Sequence, residues 1–159
     1  MTPKQISRQV EIEELDIEEV AEQEPYDTYY IGGGEFKAWM SYTALTATNS
    51  VQYELQQMAY TNEYGLRCID GRCLVAIGTY FNAPVGTYFD IVFSDGSILN
   101  CIVGDIKADI HTDENNLASL NNGSIVEFIV DTNCMSDYSL LRGTIMEYPE
   151  LIDTIIVWR

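Results

Sequence analysis

Two Asp-Gly pairs, Asp70-Gly71 and Asp95-Gly96, each stand between short runs of apolar and β-branched residues. No other feature constrains the fold as strongly. Asp-Gly supplies the two positive-φ positions of a two-residue hairpin turn, so each pair predicts two antiparallel strands joined directly. Residues 66–68 and 73–77 are the arms of the first hairpin, and residues 88–93 and 98–103 those of the second. Residues 36–48 read as a strand running into a loop, and residues 49–58 as a short helix capped by Asn49 or Ser50. Residues 82–86 read as loop, and residues 125–130 and 154–158 as further strands. Six or seven short strands at this spacing, in a chain with eleven Tyr, indicate a small β-barrel or sandwich.

A length of 159 residues supports one ordinary domain with some chain left over. The division falls near residue 34. Between Val10 and Asp27 there are nine acids, no basic residue and no glycine, which predicts a solvated, flexible acidic arm over residues 1–34. Gly32-Gly33-Gly34 forms its joint to the globular part, residues 35–159. The formal charge of −17 argues against nucleic acid and anionic membranes as partners. No window is long and apolar enough to be a membrane span, and no basic start precedes an apolar stretch. Action outside the cytoplasm would then need an export signal or anchor lying outside this sequence, or delivery as part of a virion.

Three carboxylates stand on or beside otherwise apolar segments: Asp105 after Val103-Gly104, and Glu127 and Asp131 in Ile125-Val-Glu-Phe-Ile-Val-Asp131. Side chains alternate along a strand, so Glu127 and Asp131 share a face. If Asp105 ends a neighbouring strand, mutual repulsion raises the proton affinity of at least one acid, as a general acid near neutral pH requires.

The four cysteines, Cys68, Cys73, Cys101 and Cys134, are separated by 4, 27 and 32 residues, which matches no zinc-finger framework. Cys68 and Cys73 flank the first turn and face each other across the hairpin, as a disulfide or as buried thiols. Asp109, His111 and Asp113 alternate and would present three ligands on one face if extended, although a polar loop is the plainer reading. No metal and no cofactor is expected.

The order of motifs resembles the three-aspartate (3D) domain, a six-stranded double-psi β-barrel related to rare lipoprotein A, lytic transglycosylases and expansins. The matching stretches are Met40-Ser-Tyr-Thr-Ala-Leu-Thr46, Leu74-Val-Ala-Ile77 and Pro84-Val-Gly-Thr87 with the strand after it. Val103-Gly-Asp105, the segment from Ile125 to Thr132, and Asp153-Thr-Ile-Ile-Val-Trp158 complete the series. Asp105 is followed by Ile-Lys-Ala where the family has Thr-Gly-Gly, and residues 107–123 replace a short connection.

The resemblance implies a peptidoglycan-cleaving enzyme of lytic transglycosylase type, monomeric and associated with the cell wall. In it Asp105 would act as acid and then base, with Glu127 and Asp131 raising its proton affinity or binding sugar. Candidate sugar contacts are Tyr42, Thr43 and Thr46 from the first strand, and Lys107 and Asp109 beyond Asp105. Trp39, Tyr80 and Tyr88 are further aromatic candidates for a sugar groove. The rival expectation is a non-catalytic barrel that binds glycan or a partner protein, such as a phage-associated or mobile-element structural module.

Overall fold

The computed structural model describes residues 25–159, so the expectations for residues 1–24 lie outside it. The protein is mainly β. Among the described residues nine strands form one mixed sheet, not the six-stranded barrel that the resemblance implies: β1 (Tyr26–Gly33), β2 (Ala38–Ser41), β3 (Tyr60–Thr61), β4 (Arg67–Ile69), β5 (Arg72–Ile77), β6 (Tyr88–Phe93), β7 (Ile98–Ile106), β8 (Glu127–Val130) and β9 (Ile152–Trp158). Two short helices, α1 (Val51–Met58) and α2 (Asp137–Arg142), complete it. The main path is β1-β9-β6-β7-β5. The second edge of β5 is shared, with β4 paired along Arg72 and Cys73 and β8 along Val75 and Ala76. β2 lies parallel to β8, and β7 parallel to β5; the other pairings are antiparallel.

Local chemistry sets these elements. Asp70 (φ 49°) and Gly71 (φ 76°) make the expected turn of the β4–β5 hairpin. Ser50 caps α1 by accepting from the Tyr53 amide at 3.1 Å. The arm expected to reach Gly34 is corrected: Tyr26–Gly33 is a strand paired with β9, and Tyr29 and Ile31 pack on the core. The acid-rich stretch before it hid a strand whose partner is more than a hundred residues away.

β5 is apolar throughout because both its faces are covered. On the inner face Cys73, Val75 and Ile77 meet Cys101 and Val103 of β7, Phe89, Ile91 and Phe93 of β6, and Phe128 and Val130 of β8. Tyr148 is inserted between distant strands of this curved sheet. Its ring stacks on Phe93 at 5.6 Å and on Phe128 at 6.0 Å, both nearly parallel. Lys37, fully buried, places Nζ over the Phe93 ring and donates to the Glu35 carbonyl at 2.9 Å. Cys68, Cys73 and Cys101 are buried thiols in this core, with Cys68 Sγ donating to Cys73 Sγ at 3.6 Å and no disulfide between them, whereas Cys134 is exposed. On the outer face a smaller cluster of Leu74, Ile102 and Ile129 lies beneath Leu55 of α1, Met40, Tyr42 and Leu45.

A β-bulge decides which face Asp105 takes. Val75 pairs with Val103, but the next pair is Ala76 with Asp105, leaving Gly104 unpaired. In even register Asp105 would share the inward face of Val103. With one residue skipped it stands outward, on the side of Ala76. Glycine fits the bulge because a Cβ there would lie 2.5 Å from Ile129 Cδ1 and 3.1 Å from Leu74 Cβ. We predict that Gly104→Ala overpacks the outer cluster and lowers stability by about 1–3 kcal/mol. Urea midpoints of the two proteins test this, and equal midpoints would contradict the packing account.

Candidate functional site

Beside the outer cluster a cavity of ≈ 550 Å³ is lined by Ala76, Asp105, Lys107, His111, Ser119 and Glu127, among others. Its floor is one row of the sheet. Ala76 pairs with Asp105 on one side and with Glu127 on the other, so the two acids stand on strands flanking the same methyl group. With two strand spacings between them, the backbones at 105 and 127 are about 10 Å apart. A larger side chain at 76 would fill the space that the carboxylates share.

Each acid has a distinct environment. Gln52 Nε2, from α1, donates to Asp105 Oδ1 at 3.3 Å. Burial pushes the Glu127 carboxyl up from its ordinary value; Asp105 adds to the rise, and Lys107 opposes it. The ion pairs among the described residues are Arg72–Asp90 and Arg159–Asp27, so neither site acid is closed off by one.

Lys107 is only 8% exposed. Its Nζ donates to Ser119 Oγ at 2.8 Å and to the Ser124 carbonyl at 2.6 Å. Burial lowers its pKa to about 8, against the raising influence of Glu127 and Asp113. Lysine and glutamate are thus both displaced toward their neutral forms, because the cavity desolvates both.

The segment 107–123 forms the far wall and is folded on itself. Asp113 Oδ1 accepts from the Leu117 amide at 2.9 Å, and such backbone bonds hold its carboxyl below the ordinary range. Thr112 bridges Ser119, and the Leu120 amide donates to the His111 carbonyl at 3.0 Å. The segment seats on Gly78, where a Cβ would collide with the Asn116 carbonyl. The D-x-H-x-D pattern is not extended. A 3-10 turn over Asp109–His111 sends Asp109 to the Thr79 hydroxyl at 2.6 Å, while His111 lines the cavity. No group of three metal-ligating side chains occurs among the described residues.

Of the residues expected at the site, the cavity gathers Asp105, Glu127 and Lys107. Asp131 is corrected. It keeps the parity of Glu127, but four residues of strand put it about 13 Å further along. Ile129 and its cluster stand between, and Asp131 instead caps a 3-10 turn by accepting from the Asn133 amide at 3.0 Å. Asp109 points to Thr79. Tyr42, Thr43 and Thr46 line a separate hollow against α1. Trp39 donates to the Ser139 carbonyl, Tyr88 lies under the Arg72 guanidinium, and Tyr80 packs edge-on to Tyr29 and Phe81. Gln52 and Ser119 escaped the sequence reading, since a polar residue in a short helix or loop carries no periodic signal.

Comparison with protein-family models, with curated proteins and with solved structures finds no match for this chain. No helix among the described residues is long and apolar enough to cross a membrane.

The pKa displacements give a pH signature. For Lys107 the folded value lies below the unfolded one, so the unfolded chain binds more protons between them. Its contribution to stability therefore rises from pH about 8 toward the unfolded lysine value of roughly 10.4. Glu127 has the opposite order, so its contribution is complete below the unfolded glutamate value and is lost as pH rises through the folded one. We predict that Lys107→Met removes the alkaline gain and, by leaving the Ser124 carbonyl without its partner, costs about 1–3 kcal/mol at neutral pH. Denaturation midpoints across the pH range measure both, and parallel curves for the two proteins would refute the assignment.

Proposed function

We propose that this protein cleaves the glycan strands of peptidoglycan by lytic transglycosylation, at the cavity between Asp105 and Glu127. The observation that carries the reading is the pair itself. Two carboxyls flank a methyl floor in a pocket whose burial raises the proton affinity of one of them. The resemblance to double-psi barrels gains support from the parallel contacts β2·β8 and β5·β7 set within antiparallel neighbours.

The chemistry divides between the two acids, a change from the single-aspartate scheme expected from sequence. Glu127 donates its proton to the glycosidic oxygen, and the bond from that oxygen to the anomeric carbon breaks. The C6 hydroxyl of the same sugar attacks the anomeric carbon, and its proton passes to Asp105. A 1,6-anhydro ring results, with no net consumption of water. Proton exchange with solvent restores both acids. A separation of about 10 Å at the backbone leaves room for the reacting hydroxyl between the carboxyls. His111 and Asn121 at the rim supply hydrogen-bonding groups for the sugar. The place of action on this reading is the cell wall or a virion that attacks it, and the working form is a monomer.

A second reading, a glycan-binding barrel without turnover, is favoured by one observation. Asp105 already accepts a hydrogen bond from Gln52, as a positioning acceptor would. The two readings differ in outcome. Glu127→Gln is expected to lower the release of anhydro-muropeptides from purified sacculi by at least about 100-fold, as loss of a general acid does. Asp105→Asn should cause a comparable loss, with thermal midpoints confirming that both variants fold. Mass spectra showing unchanged anhydro ends would overturn the enzymatic reading, and binding to sacculi without any cleavage by the wild type would leave the second one standing.

A further inference from the structure

The hollow that gathers Tyr42, Thr43 and Thr46 holds a buried amide without a partner. It has a volume of ≈ 290 Å³ and is also lined by Tyr53, Gln56 and Gln57 of α1. Gln56 is only 3% exposed. Arg67 fixes which way its amide points. Arg67 Nε donates to Gln56 Oε1 at 3.0 Å, and a guanidinium can only donate, so the oxygen must face the arginine and the NH₂ must face away. Nε2 has no hydrogen-bond partner among the described residues. A buried donor left in that state costs free energy, and native proteins rarely keep one without a use.

We infer that this hollow is a second sugar subsite, in which Gln56 Nε2 donates to an oxygen of a neutral saccharide, best the acetamido carbonyl of an N-acetylated sugar. Three observations select this class. The lining offers tyrosine rings and threonine hydroxyls, which suit the apolar faces and hydroxyl groups of a pyranose. Among the described residues the cation beside it is occupied: Arg67 also bonds Thr61 Oγ1 and the carbonyls of Gln56 and Ala59, and stacks on Tyr42 at 4.4 Å. An anionic ligand would therefore meet no free positive charge, in a chain whose net charge is −17.

The hollow is also placed to extend the acid cavity. Gln52, which holds Asp105, and Gln56 stand one helical turn apart on α1, about 6 Å along its axis, comparable to one unit of a 1,4-linked glycan. Nε2 is itself buried, so a ligand reaches it only when a neighbouring side chain turns aside. The substrate class rests on the glycan reading of the neighbouring cavity; the donor geometry does not.

The test uses the full chain and a short β-1,4-linked N-acetylglucosamine oligomer. In the wild type the side-chain amide resonances of Gln56 should shift on titration. Gln56→Glu keeps the oxygen that Arg67 needs and replaces the donor by an acceptor. It should retain the thermal midpoint while oligomer affinity falls at least tenfold. Gln56 resonances unmoved at saturation, or equal affinity of the two folded proteins, would overturn the inference. Binding through Gln56 by a wild type that releases no anhydro product would sustain the subsite and sink only the enzymatic reading. Cleavage with the same KM in wild type and Gln56→Glu would do the reverse.

Discussion

One unpaired residue in β7 governs the site. The bulge at Gly104 shifts the chain by one position against β5, and with period-two alternation a one-residue shift exchanges the faces of all that follows. Val103 is locked inward by the core, so without the bulge Asp105 would be driven among Phe128, Val75 and Ile77 as an unpaired buried charge. With it, Asp105 comes level with Ala76 and Glu127. The bulge survives because glycine lets β7 approach Leu74 and Ile129 closely, a contact available only where the outer cluster is already packed. Site and core are therefore one construction.

The wall over residues 107–123 determines the electrostatics of that row. An open sheet edge would leave Glu127 and Lys107 in water at ordinary pKa values. The folded segment, anchored by Asp113, by the seat on Gly78 and by the Lys107 ammonium at its root, removes water from both. Burial is the leading cause in each case; the opposite charges counter it, and Asp105 adds to it at Glu127. A glutamate and a lysine both pushed toward their neutral forms by burial are not the pattern of a surface ion pair. The Arg72–Asp90 pair is the contrast. Asp90 also accepts from Trp158 Nε1 at 2.8 Å, and the aspartate knits β5, β6 and β9 together.

Much of the frame was legible because its signals are local. Asp70-Gly71 specifies a turn that only two consecutive positive-φ residues can make, and the strand after Pro84-Val-Gly86 begins at Tyr88. The candidate site was legible by residue type and only partly by place. Alternation assigns Glu127 and Asp131 to one face but says nothing about distance along it, and the cluster containing Ile129 lies between them. The bulge left no mark beyond a glycine, which a strand tolerates for several reasons. Tyr26–Gly33 was lost to the acidic stretch before it: its one acid, Asp27, is exposed, and what makes it a strand is β9, at the other end of the chain. The buried amide of Gln56 could not be foreseen at all, since its orientation is a property of Arg67 eleven residues on.

The outer face of the sheet divides along a line crossing three adjacent strands. On one side of it Leu74, Ile102 and Ile129 need an apolar cover, and α1 provides it with Leu55. One pair further along, Ala76, Asp105 and Glu127 need a polar one, and the folded wall provides that. The helix lies over the apolar side but is itself polar, with glutamines at 52, 56 and 57. Half of its residues are apolar, but Val51 and Met58 are exposed, so it gains little from burial, and an eight-residue segment has little stability of its own. Its retention follows from the amides at its edges. Gln52 reaches across the line to Asp105, while Gln56 binds Arg67 and keeps one donor in reserve. The element that closes the core is thus also the one that places hydrogen-bonding groups on both sides of the boundary, which is where an extended polar ligand would have to lie.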